Sequence, residues 1–168
     1  SAVSDDAYLY DSTGAGVTAF VVDSGVQSDH PDFGGRVDAA AGHDEVGDGR
    51  GTEDCNGHGT HVAGTIGSTT YGVAKDVRIV PVRVLGCGRT GSIIDVLYGM
   101  LWIEQNNDSA QSVVNMSLGS PQISLVDEFA DDLVEAGFAV VVAAGNEAQD
   151  ACNVSPASAP DLLTVGAI

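Results

Sequence analysis

Val17-Thr18-Ala19-Phe20-Val21-Val22-Asp23-Ser24-Gly25 decides the fold. An apolar, β-branched run without alternation lies between Gly14 and Gly16 on one side and the polar turn at 23–25 on the other. That is how a strand buried on both faces reads. Val77–Leu85 (VRIVPVRVL) is a second such strand, with Pro81 an objection to a central position because it lacks an N–H. Val113–Met116 and Phe138–Ala144 (FAVVVAA) follow, and Leu162–Val165 begin one more. Between them come helical patterns. Val62–Ile66 sit on a short helix entered from the His58 turn. Ser92 caps a helix in which Ile93, Ile94, Val96, Leu97, Met100, Leu101 and Ile103 recur at helical spacing. Pro121–Ala136 make an amphipathic helix stopped by Gly137. Residues 42–57, rich in glycine and acid and without periodicity, read as a surface loop. Strands alternating with helices, apolar on both faces, predict an α/β fold. We expect a doubly wound, mostly parallel sheet in three layers. With no repeat and no linker, residues 1–168 are expected to form one domain.

Composition narrows the partners. Six Lys+Arg against 24 Asp+Glu give a formal net charge of −18, which repels nucleic acid and anionic membrane and argues against both as partners. The acids are spread along the chain and suit a solvated surface in a saline or calcium-rich extracellular setting. No apolar run reaches the roughly 20 residues that a spanning helix needs. Ser1 opens no signal pattern, so any leader is expected upstream. Three cysteines, Cys55, Cys87 and Cys152, leave either an unpaired thiol or three reduced ones.

In a doubly wound sheet the ligand crevice lies beyond the carboxyl ends of the strands. Asp23, Ser117-Leu118-Gly119 and Gly145-Asn146 all fall at such ends. A further polar stretch is Asp54-Cys55-Asn56-Gly57-His58-Gly59-Thr60-His61-Val62-Ala63-Gly64-Thr65, whose glycines permit close backbone approach. A histidine there can take and return a proton near neutral pH, given a carboxylate to orient it and a nucleophile to serve.

Val22-Asp23-Ser24-Gly25-Val26 with His30-Pro31 resembles the aspartate motif of the subtilisin-like serine proteases. His58-Gly59-Thr60-His61-Val62-Ala63-Gly64 resembles their histidine motif, and Ala143-Ala144-Gly145-Asn146 their oxyanion-hole segment. Asp54-Cys55-Asn56, and Cys87 after Val84-Leu85, resemble the cysteine-containing, proteinase K-like branch. The resemblance implies that Asp23 orients His58, the general base and acid, and that the Asn146 amide donates to the oxyanion. His61 is read as structural. Arg89-Thr90-Gly91 and Ser117-Leu118-Gly119 resemble the two edges that sandwich an extended peptide. Arg89 replaces a glycine usual in the family and is expected to point to solvent. Ser117–Gly119 with Ala143, Ala144 and Gly145 would wall a roomy specificity pocket. A Cys55–Cys87 bridge goes with that branch, and would contribute about 3–4 kcal/mol in the chain-entropy model.

The family's nucleophile is a serine in a Gly-Thr-Ser motif, and every Gly-Thr pair here continues otherwise: Gly51-Thr52-Glu53, Gly59-Thr60-His61, Gly64-Thr65-Ile66. The expectation is therefore a catalytic domain truncated at both ends, inactive alone, with the partner of Cys152 outside it. The resemblance further implies a secreted, extracellular endopeptidase, monomeric when whole, with polypeptide substrates, an N-terminal pro-segment as inhibitor and chaperone, and no cofactor for catalysis. Pro160 and Leu162 resemble carbonyl donors of a structural calcium site. Asp44, Asp48, Glu53 and Asp54 offer hard oxygen ligands in one loop. Two rival readings remain open: a metal-dependent hydrolase using His58, His61 and Asp23, and a non-catalytic binding module with a protease-like frame.

Overall fold

A computed structural model of the chain describes residues 9–88 and 90–167. The first strand, β1 (Thr18–Asp23), is followed by β2 (His43–Asp44), α1 (His58–Gly67), β3 (Arg78–Arg83) and α2 (Ile93–Asn106). Next come β4 (Ser112–Met116), β5 (Ser120–Pro121), α3 (Ser124–Glu135), β6 (Ala139–Ala143), β7 (Val154–Ser155) and β8 (Leu163–Val165). Six strands form a parallel sheet in the order β2-β3-β1-β4-β6-β8. β5 and β7 pair antiparallel as a separate ribbon.

The two faces of β1 explain the unalternated sequence. Phe20 and Val22 join a core with Val80, Val82, Val114, Met116 and the inner faces of α2 and α3. Ala19 and Val21 point the other way, into a smaller core with Ile79, Val77 and Ala63 of α1. Helix, sheet and helix make three layers, and the α/β expectation holds. The α1 layer does not extend across the whole sheet. On its side of β4, β6 and β8, Val113, Asn115 and Val141 are half-buried, while Leu163 and Val165 are 63% and 52% exposed.

The structure departs from the sequence reading at Pro121 and in the 42–57 loop. Pro121 belongs to β5, where it faces Val154, and the helix starts at Ser124. Helix propensity cannot register an antiparallel partner more than thirty residues away. Pro81 is tolerated next to the sheet edge for a visible reason. Ile79 exchanges hydrogen bonds with Arg36 and Asp38, and Arg83 accepts from Glu45, so odd-numbered residues of β3 turn their polar groups toward the β2 side. At Pro81 that side meets Gly42, where a Cβ would come within 2.5 Å of the proline carbonyl oxygen, and no ladder N–H is called for. The 42–57 loop carries the short strand β2. His43 there stacks on Trp102 of α2 with ring centroids 4.7 Å apart and bonds Glu45 at 2.7 Å.

Candidate active site

Asp23 is the last residue of β1 and is wholly buried. A carboxylate there costs several kcal/mol unless it is bonded. Both oxygens take the Nδ1 proton of His58, at 2.8 and 2.9 Å, and Oδ1 also accepts the Ser24 amide at 2.7 Å. An acceptor-only carboxylate places the imidazole proton on Nδ1, which leaves Nε2 as the lone-pair nitrogen of the neutral ring. The His58 side chain keeps 27% of its surface in solvent. A buried anion behind a half-exposed imidazole is an arrangement for proton transfer at the outer nitrogen.

Backbone contact makes the arrangement possible. His58 is the first residue of α1, and Gly57 before it turns the chain with φ of 100°, a left-handed value that suits glycine. At Gly59 a Cβ would lie 2.1 Å from the carbonyl oxygen of Gly25 and 3.1 Å from Cβ of Asp23. The helix start and the strand exit are therefore packed backbone on backbone.

A cavity of about 380 Å³ opens beside His58, lined by Thr90, Gly91 and Ser92 on one side and Ser117–Ser120 on the other. Its floor is apolar: Leu85, Ile93, Val96, Leu118 and Val126. A second cavity of about 420 Å³ shares Ser117–Ser120 and is bounded by Ala143, Gly145, Asn146, Glu147 and Val154. Asn146 is exposed at its rim, and its backbone N–H donates to Glu147 Oε2 at 2.8 Å. Thr90, Gly91, Ser117, Leu118, Gly119, Ala143 and Gly145 thus line two cavities that share the Ser117–Ser120 wall, with His58 in one and Asn146 in the other. Ala144 does not line either. Its amide bonds the Val165 carbonyl at 2.9 Å, so it continues the sheet ladder. Arg89 lies outside the described residues. The cavity floor was missed in the sequence because Ile93 and Val96 read as one helix face toward the core, whereas Ile93 is 38% exposed at the cleft.

The serines that line the first cavity are all engaged elsewhere. Ser92 Oγ accepts the Ile94 amide, Ser117 Oγ accepts from Asn115, Ser120 Oγ donates to the Pro121 carbonyl, and Ser155 Oγ bonds the main chain of Ile123. Among the described residues no hydroxyl is hydrogen-bonded to His58.

Cys55 and Cys87 are joined by a disulfide with Cα atoms 5.0 Å apart, while Cys152 is exposed and unpaired among the described residues. The bridge ties the chain before α1 to the segment before the cleft edge, and Asn56 Nδ2 adds a bond to the Cys87 carbonyl at 2.8 Å. The acids of the 42–57 loop bond donors within the protein. Asp48 makes two bonds of 2.7 and 2.8 Å to the buried Arg83 guanidinium, and Asp44 adds a longer one. The guanidinium holds the Asp48 carboxyl down to about 2. Glu53 binds Ser28, and Asp54 binds Ser24, Thr60 and backbone amides. Pro160 is exposed in the turn before β8, with Asp161 next to it and Leu162 half-buried against the core. His61 is exposed further along α1 and lines a different cavity from His58.

A buried Asp–His pair at the carboxyl edge of a doubly wound sheet, opening on a two-edged cleft, fits the subtilisin-like frame that the sequence motifs resemble. The chain belongs to the subtilase family, whose model matches residues 14–168. It is 50% identical over 163 residues to an extracellular serine proteinase of Thermus sp. strain Rt41A, covering 97% of this chain and 39% of that protein. It is 48% identical over 162 residues to alkaline serine exoprotease A of Vibrio alginolyticus, covering 96% of this chain and 30% of the relative. A crystal structure of a cold adapted subtilisin-like serine proteinase superposes with a TM-score of 0.90 at 47% identity. The match covers 95% of this chain and 57% of that one. The chain therefore spans well under half the length of these two curated relatives.

Proposed function

We propose that this chain carries the base and the substrate-binding half of a secreted serine endopeptidase of the subtilisin type. The observation that carries the reading is the 2.8 Å bond from His58 Nδ1 to the buried Asp23 carboxylate at the mouth of the cleft. In the proposed reaction a serine hydroxyl attacks the scissile carbonyl carbon while His58 Nε2 takes its proton. Asp23 holds the tautomer and stabilises the imidazolium, and His58 then returns the proton to the leaving amine. The side-chain amide of Asn146 donates to the developing oxyanion, a kind of contact whose removal costs about 10²–10³ in rate in enzymes of this family. No Gly-Thr-Ser motif occurs in these 168 residues, so the reading requires a serine supplied from outside them.

An extended peptide would lie between Thr90-Gly91 and Ser117–Gly119, with one side chain in the cavity bounded by Ala143, Gly145 and Asn146. The apolar floor of Leu85, Ile93, Val96 and Val126 favours a hydrophobic side chain upstream. The name of the Thermus relative and the Cys55–Cys87 disulfide support an extracellular setting. We also hold to a structural calcium at the carbonyls of Pro160 and Leu162. These are hard oxygens of the type calcium takes, and water or other parts of the protein would complete its shell. The metal-hydrolase alternative loses support because His58 and His61 serve separate cavities.

Treating the full-length protein with a serine-directed covalent probe and a peptide substrate tests the reading. Wild type should be labelled and active, and His58→Ala should abolish both. Full labelling and turnover in His58→Ala would refute it.

A further inference from the structure

The structure assigns Asp54 the role of positioning residue for the Asp23–His58 pair, one carboxylate tied to both the strand exit and the helix entry. The kinetic part of this inference rests on the protease reading above; the geometric part does not.

On the helix side, Gly57 at the start of α1 has no side chain to cap it. The orphan N–H groups of the first turn must be met from elsewhere. Asp54 Oδ1 accepts the amides of Asn56 and Gly57 at 2.8 and 2.9 Å, and Oδ2 accepts the amide and hydroxyl of Thr60 at 3.0 and 2.6 Å. These residues stand immediately before and just after His58. On the strand side, Oδ1 also accepts the hydroxyl of Ser24 at 3.0 Å, and Ser24 directly follows Asp23. Ser24 Oγ in turn accepts the Gly59 amide at 3.0 Å, and the Ser24 carbonyl accepts Nε of buried Arg83 at 3.3 Å. Ser24 is wholly buried, so these bonds are not exchanged for water. Burial pushes the Asp54 carboxyl up, but the Thr60 hydroxyl and the amides of Gly57, Asn56 and Thr60 outweigh it and hold it below its ordinary value. It is therefore charged wherever the pair is to work.

A helix cap needs only the helix-side bonds. The Ser24 bond makes Asp54 more than a cap, because it fixes where the Asp23 backbone sits relative to the helix that bears His58. Catalytic groups must be held to a fraction of an ångström, and misplacement of about 1 Å costs on the order of 10²-fold.

The test uses Asp54→Asn and Ser24→Ala in the full-length protein, reading kcat, KM, thermal stability and the solvent-exchange rate of the His58 Nδ1 proton by NMR. Asp54→Asn turns an NH₂ toward donors and should lower kcat about 10–100-fold with KM within about twofold. Ser24→Ala leaves the bonds of Asp54 to Asn56, Gly57 and Thr60 intact, and removes both the Asp54–Ser24 and the Gly59–Ser24 bonds that tie the strand exit to the helix. It should still lower kcat about 3–10-fold and speed exchange of the Nδ1 proton. The double variant should fall short of the product of the two. Wild-type kcat and exchange in Ser24→Ala would overturn the inference and leave Asp54 a helix cap. So would activity lost only in proportion to the unfolded fraction. If Asp54→Asn does not fold, Ser24→Ala decides alone. An Asp23→Asn control separates the two claims: activity surviving in it would count against the protease reading, while the Nδ1 exchange rate still scores Asp54.

Discussion

Gly59 lies against the carbonyl of Gly25 so closely that a methyl group in place of its hydrogen would stand 2.1 Å from the oxygen. Two backbone segments, one leaving β1 and one entering α1, share this contact, and the Asp23–His58 bond depends on it. Neither side is a flexible side-chain end, so the contact cannot relax without moving one partner of the pair.

Gly59→Ala should therefore separate activity from folding. We expect a stability loss of about 1–3 kcal/mol, as for other overpacked positions. The fall in kcat should be much larger than the fraction unfolded explains. Denaturant melts beside steady-state kinetics of the full-length protein check this.

Arg83 is fully buried and is the largest wholly buried side chain in the described structure. Arg83→Ala removes its bonds to Asp48, Asp44, Ser24 and Gly51 and leaves a cavity. The expected loss is about 3–5 kcal/mol, read from urea midpoints.

The same cluster sets an acid limit. Asp48 is held at about 2, below its unfolded value of 3.8. A carboxyl whose folded value is depressed binds fewer protons folded than unfolded. Its contribution is present above the unfolded value and disappears as pH falls from near 3.8 toward about 2. Acid titration followed by circular dichroism should show a shallower loss in that window for Asp48→Asn than for wild type.

Asp131 on α3 shifts the other way. Burial pushes its carboxyl up, with further upward pushes from the charges of Asp161, Asp127 and Glu135, and its Oδ1 is buried without a partner among the described residues. The folded state then holds the proton more tightly than the unfolded chain. Stability from this group is present at low pH and declines as pH rises through the raised value. Asp131→Asn should raise the melting temperature at pH 7 and have little effect at pH 3.

Reducing the disulfide, or replacing both partners in Cys55→Ser with Cys87→Ser, should cost about 3–4 kcal/mol. It should also loosen the Asn56–Cys87 contact before α1, so Gly57 and His58 amides should exchange faster with solvent.

The parts of the site readable from sequence are those fixed by local chemistry. Asp23 announced itself because an acid ends a doubly buried strand, and His58 because glycines surround it where only close backbone contact calls for them. The capping box of Ser92 with Asp95 was half visible for the same reason. What stayed hidden depends on partners distant in the chain. Pro121 looked like a helix start until Val154 came alongside it as a strand. The acids at 44, 48 and 54 offer hard oxygens in the sequence, and composition does not reveal that a buried guanidinium and a helix start bond them. Ile93 and Val96 share a helical face, and only the placement of α2 over the cleft edge turns that face into cavity lining.

The most direct test of the central claim is the single-turnover acylation rate of full-length Asp23→Asn beside wild type, with circular dichroism showing both folded. If Asp23 holds and supports His58 as base, acylation should fall by about 10⁴-fold, the loss typical of Ser-His-Asp enzymes, while substrate binding is retained. An acylation rate within a few-fold of wild type would contradict the account.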